Sequence, residues 1–197
     1  MSFDQTSLDA QLKSSRVISD YVISALATER GAHAETCVCG AGRMAGTILF
    51  RTFGLPTQNM TVGSPVLSDI ANERGPVLVE VMKAGLAGLG IEIDERTASS
   101  GPTDGHAPLI TIIETQQKLD EKIGEITSSH GLYGEEAARA CALATALLIS
   151  LTKSVLDPQI SFGLAVYGFV EGTKTVPIPS SMTAPPPPAK AKPWYKF

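Results

Sequence analysis

Residues 134–156 read GEEAARACALATALLISLTKSVL, and they carry the strongest helical pattern in the chain. Alanine and leucine are the commonest residues of this stretch, and both have high helix propensity. The apolar run at residues 140–151 is closed by Arg139 and Lys153, and about twelve residues are too few to cross a bilayer as a helix. The sequence therefore predicts a buried core helix and no membrane span.

Apolar residues recur with a period of about 3.6 on both sides of this stretch, which predicts further helices. Ser64 and Pro65 offer a cap followed by a first-turn proline, and Asp157 with Pro158 repeats that signal. Pro76 should kink or split the helix that contains it. The predicted helices cover residues 8–29, 34–53, 65–90, 109–129, 134–156 and 159–171.

These elements predict an all-α fold, a compact bundle of five to seven helices with close packing of small residues. Two segments leave an alternative open. Residues 160–167 carry large apolar side chains at every second position, as a strand does, and residues 109–114 are a short β-branched run. If both segments were strands, the fold would be α+β with a small sheet.

The composition of the 197 residues excludes several classes of protein. Hydrophobic residues make up 43% and charged residues 18%, which rules out wholesale disorder. The net charge of −4 argues against a dedicated nucleic-acid binder, because such domains usually carry a basic excess. Three cysteines are too few for a disulfide-stapled scaffold of this length. No basic stretch followed by an apolar run marks a signal peptide, so we expect a cytoplasmic protein.

Residues 176–197 differ in kind from the body, residues 1–175. They contain three lysines and no acidic residue, whereas the body is acidic, and they include the only tryptophan. A run of four prolines favours an extended polyproline II conformation. We therefore predict one helical domain followed by a disordered Pro-rich tail. The tail residues predicted to bind a protein partner are Pro186, Lys192, Trp194, Tyr195 and Phe197.

The predicted helix at residues 34–53 has a polar face whose members follow a four-residue spacing. Our main interpretation is that this face is solvated, as on most amphipathic helices. Alternatively, its two arginines bind an anionic ligand or an acidic partner, because guanidinium groups pair well with carboxylates and phosphates. The face consists of Glu35, Cys39, Arg43, Thr47 and Arg51.

Glycines recur on helix faces at spacings of three or four residues, in the pairs Gly42 and Gly46, Gly85 and Gly88, and Gly168 and Gly172. Small side chains let two helix axes approach closely, within a monomer or across a dimer. Residues 40–46 also nearly match the dinucleotide-binding fingerprint, but the last glycine lies one residue too far and no clear strand precedes it. Close helix packing is the preferred interpretation, and we expect a homodimer.

Histidine and cysteine near residue 35 raise the question of metal or nucleophile chemistry, but no pattern is complete. The sequence His33-x-Glu35 lacks the downstream Pro-Cys-x-x-Cys of zinc deaminases. Cys37 would share a helix face with His33, but Cys39 lies about 200° further round. Cys37 could be a nucleophile near a helix N-terminus, yet no third group is identified to orient it. We therefore predict no metal site and no cofactor.

The loop at residues 94–108 is polar and rich in turn-forming residues. Its centre, Asp104 to His106, could cover a pocket, but a simple connector is the preferred interpretation. His130 ends a predicted helix, where a histidine can interact with the helix dipole.

The function that these observations favour is a non-catalytic protein-interaction or regulatory module of the cytoplasm, homodimeric and without a nucleic-acid partner. The alternative is a small-ligand-binding protein or enzyme, with a pocket where the helix at residues 34–53 meets the kinked segment 69–82. A concave site that contains both Arg43 and Glu73 would favour this alternative. Exposure of both side chains to bulk water would exclude it. The candidate ligand-binding residues are Arg43, Glu73, Cys37, Cys39 and Arg51.

Overall fold

The computed structural model describes residues 5–94, 101–103 and 105–179. These residues form seven α-helices and no β-strand, which confirms the all-α prediction. The helices are α1 Gln5–Leu26, α2 Ala34–Arg51, α3 Asp69–Arg74, α4 Pro76–Gly88, α5 Ile112–Ser129, α6 Gly134–Thr152 and α7 Pro158–Thr173.

Residues 160–167, which the alternative assigned to a sheet, lie inside α7. The predicted cap explains this outcome. The Asp157 carboxylate accepts a hydrogen bond of 2.7 Å from the backbone N–H of Gln159, and Pro158 occupies the first turn. This cap starts a helix in spite of the alternating apolar pattern. The alternation is compatible with a helix because apolar residues of α7 are buried on more than one of its sides.

Helix α5 begins three residues later than the predicted start at residue 109, and a capping box fixes its first turn. Thr111 Oγ1 accepts a hydrogen bond of 3.2 Å from the backbone N–H of Glu114. In return, Glu114 accepts one of 2.7 Å from the backbone N–H of Thr111. The two bonds satisfy donors that the first turn of a helix otherwise leaves free, so the start is well defined.

The helix predicted at residues 65–90 is shorter and is divided in two. Gly75 and Pro76 separate α3 from α4, as the proline predicts. The predicted start at Ser64 is wrong, because the backbone there pairs with the segment that follows α7. Ser64 O accepts a hydrogen bond of 2.9 Å from Val176, and residue 66 donates one of 2.7 Å to the carbonyl of Lys174.

Helix α2 is the centre of the bundle, and every residue from Thr36 to Phe50 is buried. It packs against α7, α6, α5 and α1. Helix α7 runs parallel to α2, with Gly42 next to Ala165 and Gly46 next to Phe169. A helix with so many neighbours needs small residues to let them approach, and α2 supplies three glycines.

Helix α6 lies between α1 and α4, and it forms the second part of the core. Its start is close to the end of α2, where Gly134 lies next to Thr52. Ser7 Oγ in α1 donates a hydrogen bond of 2.6 Å to Glu136 in α6. Within the described part of the chain, no helix is both long and apolar enough to cross a membrane.

The first residues of the predicted tail lie against the helical body. Val176 is 4% exposed, and the backbone N–H of Ile178 donates a hydrogen bond of 2.9 Å to Gln116 Oε1 in α5. Residues 180–197 lie outside the described residues, and so does Asp104. The predicted partner-binding residues Pro186, Lys192, Trp194, Tyr195 and Phe197 are among them.

Candidate functional site

The polar face of α2 is buried, and the prediction of a solvated face is wrong. Arg43 is only 3% exposed, and Thr47 is fully buried. Helices α5 and α7 and the loop before α5 cover this face. The face can be buried because its polar groups find partners on the neighbouring elements, which offsets the loss of water.

Arg43 has three partners from three different elements. Its Nε atom donates a hydrogen bond of 2.6 Å to Glu171 Oε2 in α7. Its Nη1 atom donates to the carbonyl of Ile110 at 2.6 Å and to Thr115 Oγ1 at 3.2 Å. The buried charge is therefore paired and hydrogen-bonded within the chain, as a stable buried guanidinium requires.

A second polar network joins α2 to α5. The guanidinium of Arg51 holds Asp120 through two hydrogen bonds of 2.7 Å each. One turn earlier, Gln116 Nε2 donates to Thr47 Oγ1 at 3.1 Å. Arg51 Nη2 also donates to the carbonyl of Ile178 at 3.3 Å, so this network fastens the segment that follows α7.

At the start of α2, Glu35 lies between two histidines. Its carboxylate is 2.9 Å from His106 Nδ1 and 3.2 Å from His33 Nε2. Burial opposes ionisation of Glu35, but the hydrogen bond with His106 and the other favourable contacts outweigh it, and the pKa of the carboxyl lies below its ordinary value. Thr36 Oγ1 accepts a hydrogen bond of 2.9 Å from the backbone N–H of Leu109. The described part of the predicted loop is thus fastened to α2.

The three cysteines are free and buried, and their environment disfavours nucleophilic chemistry. Burial raises the pKa of Cys37 to about 11 and that of Cys39 to about 12, and it also raises the pKa of Cys141. A nucleophilic or metal-binding cysteine needs the opposite shift, because the thiolate is the reactive form. Among the described residues, no group of three or more His, Cys, Asp or Glu side chains could hold a metal ion.

The predicted ligand-binding residues do not come together in one pocket. Arg43 pairs with Glu171, whereas Glu73 is exposed on α3. A cavity of about 290 Å³ does lie beside the kinked segment, but α7 and not α2 forms its opposite wall. The predicted residues Arg43, Glu73, Cys37, Cys39 and Arg51 do not line it. Its lining residues are Ala71, Asn72, Gly75, Pro76, Val79, Glu80, Phe169, Val170, Thr173 and Lys174.

The glycine pairs of α2 and α7 pack against each other, which confirms the close-packing prediction within the chain. A Cβ atom at Gly42 would lie 2.7 Å from the carbonyl oxygen of Ala165, and one at Gly46 would lie 2.5 Å from that of Phe169. A Cβ atom at Gly168 would lie 2.5 Å from the carbonyl oxygen of Cys39. No real Cβ atom approaches backbone so closely, so any larger residue would push the two helices apart.

Sequence reasoning missed an apolar groove that runs along the outside of α6, between α1 and α4. Its volume is about 350 Å³, and among the described residues Arg16 is the one charged side chain that lines it. Gly88 leaves open space there, since a Cβ atom added to it would meet nothing within 4 Å. The signal in the sequence was the pair Gly85 and Gly88. The lining residues are Leu8, Leu12, Ser15, Arg16, Ala84, Gly85, Gly88, Leu89, Leu143, Ala146 and Leu147.

Large apolar side chains at the groove remain accessible to solvent. Leu12 on α1 is 43% exposed and Leu89 after α4 is 41% exposed. Along α6 the apolar surface continues to Leu151, which is 60% exposed and lies one helical turn beyond Leu147. The groove is therefore part of a longer apolar surface centred on α6.

Comparison with known protein families, curated proteins and solved structures gives no match to this chain. Two regions are relevant: the paired polar face of α2, and the open groove between α1 and α4.

Proposed function

We propose that this chain is a non-catalytic protein-interaction module whose groove between α1 and α4 binds an apolar segment of a protein. The groove itself carries the proposal. It is concave and almost uncharged, and it keeps Leu12 and Leu89 more than 40% exposed. Concentrated apolar surface of this kind is typical of interaction sites, whereas singly exposed apolar residues need no explanation.

The chemistry of the buried polar groups supports a non-catalytic role. Arg43 and Arg51 are held by Glu171 and Asp120, so neither arginine is available to a substrate without breaking an ion pair. The raised pKa of Cys39 keeps its thiol protonated at neutral pH. Enzymes usually place groups with pKa values suited to their reaction in a cleft, and these groups are buried in the body instead.

The groove also indicates the chemistry of the segment that it binds. The open space over Gly88 fits a bulky side chain, and an aromatic ring fills such space at low cost in conformational entropy. At one end, where Leu8 begins the groove, Asp9 and Glu136 are exposed. An aromatic segment preceded by lysines would place its rings on the leucines and its charges near these carboxylates.

Fluorescence polarisation with labelled ten-residue peptides tests this proposal. The peptides share a central Trp-Tyr pair and differ only in two flanking residues, which are Lys, Ser or Glu. The protein is the full chain with Trp194, Tyr195 and Phe197 changed to serine, so that no aromatic residue of that segment competes. We expect the lysine peptide to bind most tightly.

Binding should weaken at least ten-fold in Leu12→Asp and in Gly88→Leu, which charge and fill the groove. Leu67→Asp is the matched control, because Leu67 is 90% exposed and does not line the groove. Absence of binding by all three peptides, or equal binding by all groove variants, would refute the proposal.

The homodimer predicted from the sequence stays a prediction, as does the cytoplasmic location. The glycine faces of α2 and α7 that suggested a dimer are used inside the chain. The exposed Leu151, at the far end of the apolar surface of α6, is the place where a second copy would bind. Native mass spectrometry of the wild type and Leu151→Asp measures this directly, with a dimer lost in the variant as the supporting result.

A small-ligand-binding protein is the second candidate, and the cavity beside α3 and α4 favours it. Its walls are mainly apolar, and its charged lining residues are Glu80 and Lys174. The same native mass spectra test this candidate, because a bound organic molecule adds to the polypeptide mass. Val79→Trp would fill the cavity and should remove that extra mass, whereas Leu12→Asp should leave it unchanged.

A further inference from the structure

We propose that the aromatic segment at residues 190–197 of the chain itself occupies the groove between α1 and α4. This inference rests on the proposed function, since it names the segment that the groove binds. It makes the interaction site self-occupied in the isolated chain. A partner would then have to displace the chain's own segment.

The described chain stops at the end of the bundle where the groove begins. The carbonyl of Ile178 accepts a hydrogen bond of 3.3 Å from Arg51 at the end of α2. Thr52, which follows Arg51, lies next to Gly134 at the start of α6. Glu136, half a turn further along α6, is bonded to Ser7, which precedes Leu8 in the groove. The described chain therefore ends on the same side of the bundle as the first residue of the groove.

The length of the segment is sufficient to reach and fill the groove. About 15 residues separate Pro179 from Trp194, and in polyproline II they span ~45 Å. From Leu8 to Arg16 the groove extends about two helical turns, or ~12 Å.

The charges of the segment match those at the end of the groove. Lys190 and Lys192 precede Trp194, so they would pass Asp9 and Glu136 as the aromatic residues enter the groove. The part of the chain that leads to the segment is already bound to the body. Val176 is hydrogen-bonded to Ser64, and Ile178 to Gln116. Only the residues beyond Pro179 therefore have to be placed when the segment binds.

The aromatic side chains match the apolar floor of the groove. Trp194, Tyr195 and Phe197 fall within four successive positions. The open space over Gly88 and the exposed flanks of Leu12 and Leu89 can accommodate rings of this size. Because the segment is tethered, its effective concentration at the groove reaches the millimolar range, so even a weak intrinsic affinity fills the site.

Trp194 is the only tryptophan, so its fluorescence in the full chain reports this docking without a label. We expect its emission to be blue-shifted relative to free N-acetyl-tryptophanamide and to be protected from acrylamide quenching. Both effects should be lost in Leu12→Asp and Gly88→Leu and kept in the control Leu67→Asp. They should not depend on protein concentration, since the segment binds its own chain.

Three results would overturn the inference. Emission and quenching like those of the free indole would show that the segment is not docked. Protection that survives both groove variants would place the segment elsewhere. Protection that appears only with rising concentration, together with a dimer mass, would mean that the segment binds a second copy.

Peptide binding separates this inference from the function on which it rests. The lysine-flanked peptide should bind the wild-type chain at least ten-fold more weakly than the chain whose three aromatic residues are serine. Equal binding to both chains refutes self-occupancy but leaves the groove as a binding site. No binding to either chain refutes the proposed function itself.

Discussion

Two glycine pairs that look alike in the sequence lie in very different surroundings. Gly42 and Gly46 of α2 touch the backbone of α7, where Gly168 and Gly172 face them. Gly85 and Gly88 of α4 lie beside α6, and only the first of them is in close contact. A Cβ atom at Gly85 would lie 3.0 Å from Ala146 Cβ, whereas one at Gly88 would meet nothing within 4 Å.

The difference shows that glycine spacing identifies a smooth helix face but not what covers that face. In α2 the face is covered by another glycine face, and the two backbones come into contact. In α4 the same kind of face is only partly covered by α6, and its uncovered part lines the apolar groove. A closed interface supports the fold, and an open one is available for binding.

The largest expected effect is the loss of stability caused by adding a methyl group at the α2–α7 interface. Gly46→Ala and Gly172→Ala each place a Cβ atom against backbone atoms that cannot move aside. We expect each to lower the free energy of unfolding by about 3 kcal/mol or more, despite the better helix propensity of alanine. Urea denaturation measures this from the transition midpoint. A cost below that of a typical surface substitution would show that the helices are not in contact.

A second large effect should follow from removing the charge of Arg43, which links the α2–α7 interface to the loop before α5. Arg43→Met removes three hydrogen bonds and leaves the carbonyl of Ile110 without this partner. We expect a loss of about 2–3 kcal/mol, less than for a fully buried pair because Glu171 is 24% exposed. Lys122→Met is the control, since its pair with Glu125 is exposed and should contribute less than about 0.5 kcal/mol. Equal midpoints for the two variants would contradict the closed interface.

The sequence was sufficient to predict the helices but not what packs on them. Periodicity and capping signals located α2 and the start of α7, because these depend on residues close in the chain. The partner of Arg43 lies 128 residues away, and no local pattern could identify it. A four-residue polar spacing is the same whether water or another helix covers the face, so the solvated interpretation failed for that reason.

The groove was equally beyond a local pattern, because its walls come from α1, α4 and α6. Leu143, Leu147 and Leu151 follow a four-residue spacing that indicates one apolar face of α6. Which of these leucines are covered depends on where α1 and α4 end. A cavity does lie beside the proline break, but its opposite wall is α7 rather than α2, and the local pattern could not indicate that wall either.

An intermediate effect should appear in the pH dependence of stability. Cys39, which lies beside Gly168, has an ordinary pKa of 9.0 when unfolded, and burial raises it to about 12 in the folded chain. Between these values the unfolded chain binds fewer protons, so stability falls as the pH rises above 9. We expect Cys39→Ala to reduce the slope of that fall by up to about 1.4 kcal/mol per pH unit.

Met44→Leu is the matched control for this pH series, because Met44 is equally buried in α2 and does not titrate. Urea midpoints measured between pH 8 and pH 11 separate the two variants. The control should keep the slope of the wild type, whatever its constant effect on stability. An unchanged slope in Cys39→Ala would mean that the thiol is accessible to water, so the interface beside it opens readily.

The smallest expected effect has the opposite sign and comes from the open glycine. In the chain whose three aromatic residues are serine, Gly88→Ala adds a methyl group that meets nothing in the body, and alanine reduces the freedom of the unfolded chain, so we expect stabilisation by about 0.5 kcal/mol. The same change at Gly172 should be strongly destabilising, although both glycines belong to similar sequence patterns. In the wild-type chain, destabilisation by Gly88→Ala together with altered Trp194 emission would mean that the docked segment fills the groove down to its floor. The sign at this one position therefore shows how closely an occupant packs against α4.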